Sequence, residues 1–430
     1  MIRGLYTCAL FLYALAILPK IFWQRFVHGK YKGSLKARLG LTLPSIDQNS
    51  DKPLIWIHTI SMGETRAAIP FFRLLRERYP HFRIVISSTT DTGHAEAKRS
   101  MPEAQSHFFL PLDFPWTVRK FLKYLKPHAL IFVEGDVWYN WLTQAKKRKI
   151  HLFLINGKIS ERSTKRFKKV AFFARQLFST FDALCLQNET YEQRFLSLGV
   201  PPEKLYVTGN IKLDAPTKKM NTTELNQFKE ELGITPNDRI IVIASTHEPE
   251  EQWLLSALES VYAAFPTLKI ILIPRHPERF ANVANLLHKE QIDTLIYSQR
   301  QNSSSKETKR VILIDAMGLV LSCYQCAEIA IVGGSFVSHV GGHNIFEPIL
   351  YNVPVLFGPY MHSQPDLLQL ILHARTGLQT TLPELPVLLT EWLGTPTLLH
   401  PYKKACTKLV SQVQGATERT FQHLFSKETL

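Results

Sequence analysis

The sequence lacks the short motifs by which many nucleotide-dependent and metal-dependent proteins are identified. It contains no G-x-x-x-x-G-K-[ST] segment, which weighs against a P-loop nucleotidase. It also contains no G-x-G-x-x-G segment, which weighs against a dinucleotide-dependent enzyme. No dense cluster of metal-ligating residues is visible along the chain. We therefore predict a site with no metal and no cofactor, in which arginine, lysine and a helix amino end act on a leaving phosphate.

Cysteine is scarce, and its distribution excludes a secreted disulfide framework. The 430 residues include only five cysteines, an odd number, and they are scattered along the chain. Cys323 and Cys326 form one C-x-x-C pair in a predicted helix, with no second pair nearby. This pattern favours two buried or half-buried thiols over a zinc or redox site.

Acidic residues are too few to balance the basic ones. Fifty-one Lys and Arg residues against 36 Asp and Glu residues give a formal net charge of +15. Such an excess indicates anionic partners: nucleic acid, acidic lipid or a phosphorylated substrate. No zinc finger, recognition helix or aromatic–basic single-strand motif is present, so nucleic acid is the least favoured. The basic clusters at 146–149 and 158–175 are either solvated helix faces or a surface facing anionic lipid.

The first forty residues differ from the rest of the chain. Residues 4–18 are uncharged and mostly apolar, a run somewhat shorter than the roughly 20 residues that cross a bilayer. An acid-free basic stretch follows, which places this side in the cytoplasm. It holds Lys20, Arg25, Lys30, Lys32, Lys36 and Arg38. We predict that residues 1–40 form an uncleaved membrane-anchor helix that spans or lies on the membrane; the alternative is a signal peptide cleaved near residues 14–16.

Beyond residue 50, short apolar runs alternate with helical segments in two series. This alternation predicts an α/β fold with βαβ units and doubly wound parallel sheets. Strands of the first series are predicted at 54–58, 83–88, 129–134, 152–156, 183–187 and 205–209. Strands of the second are predicted at 239–244, 269–274, 311–314, 328–332 and 354–357. We place a Rossmann-like acceptor domain at 41–216, a second Rossmann-like domain at 217–400 and a C-terminal helix within 401–430, with the active site in a cleft between the domains.

In the first series, charged residues follow predicted strands. Glu64 either completes a capping box with Ser61 or acts as a carboxylate base at the mouth of the cleft. Glu134 follows a buried strand, where a carboxylate is costly without partners. Lys212 either neutralises a substrate anion or pairs with Asp214.

In the second series, the order of motifs is more specific than any single motif. Pro274-Arg275 follows an apolar strand, so a rigid guanidinium is expected at the strand end, suited to a phosphate. Gly333-Gly334 and Gly341-Gly342 bracket a loop before a predicted helix at 345–350. Paired glycines allow close backbone approach, a helix amino end favours anions, and Glu347 could accept hydrogen bonds from a ribose. This order predicts a nucleotide site.

Taken together, these motifs resemble those of the 3-deoxy-D-manno-octulosonic acid (Kdo) transferases of lipopolysaccharide biosynthesis, across nearly the whole chain. The likeness rests on Ser61 to Glu64, Glu134 with Asp136 and Trp138, Asn156 with Ser160 to Ser163, Gly209 to Asp214, Ser245 to Glu248, Pro274 to Pro277, Asp315 to Gly318 and Gly341 to Glu347. The resemblance implies a GT-B architecture, two Rossmann-like domains facing across a cleft.

The resemblance also implies the reaction and the residues that perform it. A CMP-Kdo donor would be used by an inverting enzyme that needs no metal, and the acceptor would be a phosphorylated, acylated glucosamine disaccharide, the lipid A precursor. The enzyme would act at the cytoplasmic side of a bacterial inner membrane. Glu64 would be the general base, and Glu134 and Lys212 would stabilise the transition state. CMP would be held by Pro274, Arg275, Met317, Gly318, Leu319, Asn344, Ile345, Phe346 and Glu347.

Some positions depart from the family pattern, among them Gly135 and Val137 beside Glu134 and a loop at 335–340 that is one residue longer than usual. Leu319 stands where an acidic residue is common, so only its backbone can contribute to binding. Lys158 stands where arginine is frequent. Two rival functions remain open. The rivals are a GT-B transferase that uses another nucleotide sugar and a non-catalytic basic scaffold on the membrane surface. The number of Kdo units transferred is left open.

Overall fold

A computed structural model describes residues 2–27, 34–135, 137–214, 219–302 and 309–425. The chain divides into two compact units, one comprising Met1–Pro216 with Val413–Leu430 and the other comprising Thr217–Gln412. Each unit is built around a seven-stranded parallel sheet. Lys30 and Lys32 of the predicted basic stretch, and Asp136, lie outside the described residues.

The strands follow the short apolar runs of the sequence. They are β1 Leu54–Thr59, β2 Arg83–Ser88, β3 Ser106–Phe109, β4 Ala129–Val133, β5 His151–Gly157, β6 Ala183–Leu186, β7 Leu205–Val207, β8 Arg239–Thr246, β9 Leu268–Pro274, β10 Thr294–Ile296, β11 Val311–Leu313, β12 Ile329–Val332, β13 Val355–Phe357 and β14 Gly377–Gln379.

Helices connect the strands and cover both faces of each sheet. They are α1 Ile2–Val27, α2 Leu35–Arg38, α3 Met62–Arg78, α4 Asp91–Ser100, α5 Pro115–Leu125, α6 Tyr139–Lys147, α7 Glu161–Lys168, α8 Ala171–Phe178, α9 Glu189–Leu196, α10 Thr222–Glu231, α11 Glu250–Ala257, α12 Glu259–Ala264, α13 Phe280–Lys289, α14 Val320–Tyr324, α15 Pro365–Ala374, α16 Leu385–Gly394, α17 Leu399–Val413 and α18 Ala416–Leu424. Short 3₁₀ helices include Ile211–Asp214 and Pro348–Tyr351.

Both sheets are doubly wound. Their strand orders are β3-β2-β1-β4-β5-β6-β7 and β10-β11-β9-β8-β12-β13-β14. Side chains of β1 alternate between two buried clusters: Leu54 and Trp56 pack on one face, Ile55 and Ile57 on the other. Burial on both faces explains why the central strands are continuous apolar runs. The strand order reverses between β1 and β4 in the first sheet and between β8 and β12 in the second.

Helix α1 contains the apolar segment predicted to anchor the chain. Tyr6 on its first turns donates a hydrogen bond to Asp113 (2.9 Å) and contacts the rings of Tyr139 and Phe173. Further along, exposed apolar side chains of this helix include Leu12 and Trp23. None of the helices in the described residues is both long and apolar enough to cross a membrane.

The C-terminal segment forms two helices, where the sequence predicted one. Gly415 has a φ of +83° and separates α17 from α18. The carboxylate of Asp214 accepts hydrogen bonds from the backbone N–H groups of Gly415 (2.7 Å) and Thr417, at the start of α18. Phe421 then packs on Phe71 of α3 at 6.0 Å between ring centroids. The end of the chain therefore belongs to the first unit.

The two thiols of the C-x-x-C pair are buried and free, as predicted. Burial raises the pKa of Cys323 and of Cys326, so neither is a thiolate at neutral pH.

Candidate active site

Charged and polar residues concentrate where the strand order of each sheet reverses. Ligands of open α/β sheets bind outside the carboxyl ends of the strands at this point. In the first sheet, Glu64 follows β1 and Glu134 follows β4. In the second, His247 follows β8 and Gly333 follows β12.

Glu64 lies in the first turn of α3 and takes part in capping it. Its backbone N–H donates to the Ser61 hydroxyl at 3.4 Å, and its Oε2 accepts from the backbone N–H of Ile60 at 2.6 Å. In a capping box the Glu64 carboxylate would accept from the backbone N–H of Ser61, whereas here it accepts from that of Ile60. The predicted capping box is therefore shifted by one residue. The hydrogen bonds fix the half-buried carboxylate at the carboxyl edge of the sheet.

Glu134 is a buried carboxylate held by two lysines. Lys212 approaches its Oε1 at 2.5 Å and Lys158 its Oε2 at 2.7 Å. The carboxylate is 6% exposed, whereas the lysine side chains are 38% and 40% exposed. Asn156 also donates to Oε1, at 3.4 Å. Each carboxylate oxygen thus has its own cation, and the cluster carries one net positive charge.

Burial alone would raise the pKa of Glu134. The ammonium groups of Lys212 and Lys158 outweigh that effect, and the pKa lies below its ordinary value of 4.5. Glu134 is therefore ionised at neutral pH. The exposed part of each lysine can contact an anionic substrate while the lysine stays paired with the carboxylate.

Two unusual backbone conformations build this cluster. Glu134 has a φ of +70° and Asn156, at the end of the neighbouring strand, has a φ of +53°. Such left-handed conformations are costly for residues with a side chain and persist where the surroundings enforce them. The Asn156 side chain accepts from the backbone N–H of Ile211 at 3.0 Å, which links β5 to the short helix that carries Lys212.

The alternative pairing of Lys212 with Asp214 is wrong. Asp214 accepts hydrogen bonds at the start of α18, and Lys212 turns to Glu134 instead.

In the second unit, a buried carboxylate organises the glycine-rich loop after β12. Glu250 Oε2 accepts from the backbone N–H groups of Gly334 (2.7 Å) and His247 (2.8 Å), and Oε1 accepts from Phe336 (2.9 Å). Burial raises the pKa of Glu250 against the lowering effect of these three donors. The loop after β12 is therefore fixed to the loop after β8.

A pair of histidines also connects the loop after β8 with the loop after β12. The Nε2 atoms of His247 and His343 lie 2.8 Å apart, and the rings are nearly coplanar, with 13° between planes and 5.0 Å between centroids. One imidazole must donate and the other accept, so at least one is neutral. A Cβ at Gly334 would approach His343 Cδ2 to 2.7 Å, so only glycine leaves room for this ring.

Arg275, Asn344 and Glu347 lie around the histidine pair. Burial raises the pKa of Glu347, while the Asn344 amide (3.1 Å to Oε1) and the charge of Arg275 oppose the rise. Burial lowers the pKa of His343, and the neighbouring His247 and Arg275 lower it further. Pro274 is buried at the end of β9, and Arg275 next to it is exposed. The structure therefore brings Arg275, Asn344 and Glu347 into one neighbourhood.

The predicted helix at 345–350 is wrong. Residues 345–347 form turns, and only Pro348–Tyr351 is helical, as a four-residue 3₁₀ helix. The Asn344 side chain accepts from the backbone N–H of Phe346 at 3.1 Å. Pro348 has no N–H to donate, and Asn352 ends the helix in a left-handed conformation. No helix amino end is therefore available to a phosphate at this position.

The other predicted CMP-binding residues differ in what they can offer. Ile345 and Phe346 are buried in the core, so their side chains are turned away from solvent. Met317 is 62% exposed, and Gly318 has a φ of +88° with open space around it. Leu319 is half-buried and precedes α14. Within the described residues, no group of three or more metal-ligating side chains is assembled.

Comparisons with known proteins decide the family. A family model described as 3-deoxy-D-manno-octulosonic-acid transferase (kdotransferase) matches residues 33–215. The 3-deoxy-D-manno-octulosonic acid transferase of Chlamydophila psittaci is 33% identical over 419 residues, which cover 97% of this chain and 95% of the relative. This chain belongs to the Kdo transferase family. It is therefore a glycosyltransferase of lipopolysaccharide biosynthesis.

Two further comparisons extend this result. The Kdo transferase of Haemophilus influenzae is 35% identical over 326 residues, covering 76% of this chain and 75% of the relative. The solved UDP-GlcNAc 2-epimerase of Neisseria meningitidis, bound to UDP-GlcNAc, aligns with a TM-score of 0.58 at 16% identity, covering 86% of this chain and 99% of that one. The epimerase likeness shows that the two-sheet α/β fold is shared.

In this Kdo transferase, the most informative contacts were absent from the sequence-based predictions. Lys158 was noted only as a departure from the family pattern, and no role was assigned to Asn156 or to the histidine pair. Each acts through a partner that is distant in sequence: 24 residues separate Lys158 from Glu134, and 96 separate His247 from His343. The position of Lys158 directly after a strand was the one usable indication.

Proposed function

We propose that this enzyme transfers Kdo from CMP-Kdo to the lipid A precursor, lipid IVA, with inversion of the anomeric centre. The observation that carries the proposal is the Glu134 carboxylate with Lys158 and Lys212 at its two oxygens. Kdo has its own carboxylate, so its CMP derivative is anionic at two places. A half-exposed pair of lysines at the strand-order reversal suits such a donor.

The second unit would hold the CMP moiety. Arg275 would neutralise the phosphate, and Glu347 with Asn344 would accept and donate hydrogen bonds at the nucleoside. The backbone of Met317, Gly318 and Leu319 would lie against the base or ribose. Support for this arrangement comes from the neighbourhood of Arg275, Asn344 and Glu347 and from the open space at Gly318.

The chemistry would be a single displacement. Glu64 takes the proton from the acceptor hydroxyl as its oxygen bonds to the anomeric carbon of Kdo. The bond from that carbon to the phosphate oxygen breaks, and CMP leaves with the electron pair. Lys158 and Lys212 offset negative charge during the transfer, while Glu134 keeps both lysines oriented.

The site of action would be the cytoplasmic surface of the bacterial inner membrane. Support comes from the exposed apolar side chains of α1, such as Leu12 and Trp23, and from the net charge of +15.

The first test is transfer in detergent micelles. Purified protein is incubated with CMP-Kdo and tetraacyl lipid A precursor, and the product is analysed by mass. We expect a mass increase of whole Kdo units, whose number also gives the multiplicity. Glu64→Gln should lower the rate on the order of a hundredfold, because its amide oxygen can still accept from Ile60 but cannot take a proton.

Glu77→Gln is the matched control, since Glu77 is an exposed glutamate on the same helix. Near-normal transfer by Glu64→Gln would remove Glu64 as the base. If the wild-type enzyme transferred nothing from CMP-Kdo and were inhibited by UDP more strongly than by CMP, CMP-Kdo would not be its donor.

A further inference from the structure

A basic depression that is open to solvent, called here the cavity of α7, begins two residues after Lys158 of the Glu134 cluster, and none of the steps above uses it. The cavity measures about 630 Å³ and is formed by α7 and the residues that flank this helix. Its lining residues are Ser160, Glu161, Arg162, Lys165, Arg166 and Lys169. Four of the six are cations. The helix starts shortly after Lys158, so the cavity continues from the carboxyl edge at which Glu134 lies.

The charges of this cavity are only partly balanced within the protein. Glu161 Oε1 pairs with Lys165 at 2.5 Å. In the part of the chain that the structure describes, no carboxylate lies within ion-pair distance of Arg162, Arg166 or Lys169. The cavity therefore presents a net charge of about three positive units to solvent.

This arrangement is unfavourable for the helix itself. Arg162 and Arg166 are four residues apart, as are Lys165 and Lys169, and like charges at this spacing destabilise a helix. Other contacts hold α7 in place: the Ser160 hydroxyl caps it by accepting from the Ser163 N–H at 3.1 Å, and Thr164 is buried on the opposite face. A bound anion would relieve the repulsion.

Apolar side chains follow the basic cavity along the chain. Val170 is 52% exposed and Phe172 is 74% exposed at the start of α8. The adjacent Phe173 packs on Tyr6 of α1, 6.1 Å between ring centroids, so the start of α1 lies next to the start of α8. Along the chain, Lys158 at the carboxyl edge is followed by the cations of α7 and then by exposed apolar side chains.

We propose that the cavity of α7 binds a phosphate group of the lipid acceptor. The inference rests on the proposed function, because it assigns a subsite to the acceptor of that reaction. A phosphorylated, acylated disaccharide carries groups that match this surface: phosphates on the sugars for the cations, and acyl chains for the exposed apolar side chains. Arginine forks match phosphate oxygens in pairs, which favours Arg162 and Arg166 as the direct contacts.

The test compares two double variants in detergent micelles that contain no anionic lipid. Arg162→Gln with Arg166→Gln should raise the KM for the bisphosphorylated acceptor at least about tenfold and leave the KM for CMP-Kdo unchanged. Lys147→Gln with Lys149→Gln removes the same charge from another exposed basic cluster of the same unit, and it should change neither KM. Thermal unfolding of each variant checks that the fold is intact.

A second arm uses acceptors that lack one phosphate. For the wild-type enzyme, removing the bound phosphate should weaken acceptor binding by about the same factor as the double arginine substitution does. For the arginine variant, removing that phosphate should weaken acceptor binding no further. Equilibrium binding of these acceptors to micelle-solubilised enzyme gives this result without catalysis. Failure of the transfer reaction would therefore leave the test of the cavity intact.

Two results would overturn the proposal. In the first, the arginine variant has the wild-type KM for the bisphosphorylated acceptor and still binds the acceptors that lack one phosphate more weakly, as the wild type does. In the second, the arginine variant keeps the wild-type acceptor KM but no longer binds phosphatidylglycerol vesicles that contain no acceptor. That result would mean that the cavity binds the membrane surface instead.

Discussion

At the scale of single residues, the cluster of Glu134 with Lys158 and Lys212 makes an asymmetric prediction about stability. Replacing both lysines by methionine leaves a buried carboxylate without a cation, which should cost about 3–5 kcal/mol in the free energy of unfolding. Glu134→Gln leaves two half-exposed lysines that water can solvate, so its cost should be smaller, about 1–2 kcal/mol. Chemical denaturation at pH 7 measures both.

A triple variant separates the contribution of this cluster to stability from its contribution to catalysis. It combines Glu134→Gln with the two lysine-to-methionine changes. It should recover most of the stability that the lysine pair variant loses, because no buried charge remains unpaired. It should not recover transfer activity. A triple variant that is no more stable than the lysine pair variant would contradict the interpretation.

The pKa of Glu134 gives this interaction a pH dependence. Because that pKa lies below its ordinary value of 4.5, the stabilising contribution is complete above about pH 5 and is lost as the pH falls through the lowered pKa. Glu134→Gln should therefore remove part of the acid-induced loss of stability of the wild-type enzyme.

At the scale of structural elements, the His247–His343 pair couples the loop after β8 to the loop that carries Asn344 and Glu347. His247→Phe keeps a ring but removes the hydrogen bond, and it should raise the Kd for CMP about threefold to tenfold. His247→Gln offers an amide to His343 and should recover part of the affinity. Titration calorimetry with CMP measures both, with the exposed His288→Gln as control.

The histidine pair should also make the second unit sensitive to acid. Burial, followed by neighbouring positive charges, lowers the pKa of both His247 and His343 from 6.5 to about 4. As the pH falls from 6.5 toward 4, the unfolded chain binds protons first, so the free energy of unfolding decreases over that window and is unaffected above it. Removing one imidazole in His247→Phe should make the decrease smaller. An unchanged pH dependence would argue against this pairing.

The elements also show what could be predicted from the sequence. The central strands β1, β4, β8 and β9 were predicted because burial on both faces makes them continuous apolar runs. The strands β3, β10 and β14 were missed. All three are edge strands of three or four residues, and each is only partly buried, so their composition resembles that of loops.

Site residues could be predicted where a charged residue lies in the segment just after a predicted strand, as Glu64, Glu134 and Arg275 do. They could not be predicted where a contact depends on tertiary packing. The partner of Lys212 was undecided between a near residue and a distant one, and only the fold places Glu134 within its reach. The predicted helix at 345–350 failed because Pro348 and Asn352 restrict the segment to a single 3₁₀ turn.

At the scale of the whole molecule, the net charge of +15 and the exposed apolar side chains of α1 predict two separable contributions to membrane binding. Cosedimentation with phosphatidylglycerol vesicles should exceed that with neutral vesicles, and salt should weaken it, because the Debye length shrinks from about 10 Å at 0.1 M to about 3 Å at 1 M. Leu5→Ser with Leu12→Ser should weaken binding at every salt concentration, since both side chains are exposed and apolar. Lys147→Gln with Lys149→Gln should act only at low salt. Binding that is equal on neutral and anionic vesicles and indifferent to salt would mean that charge does not direct this enzyme to membranes.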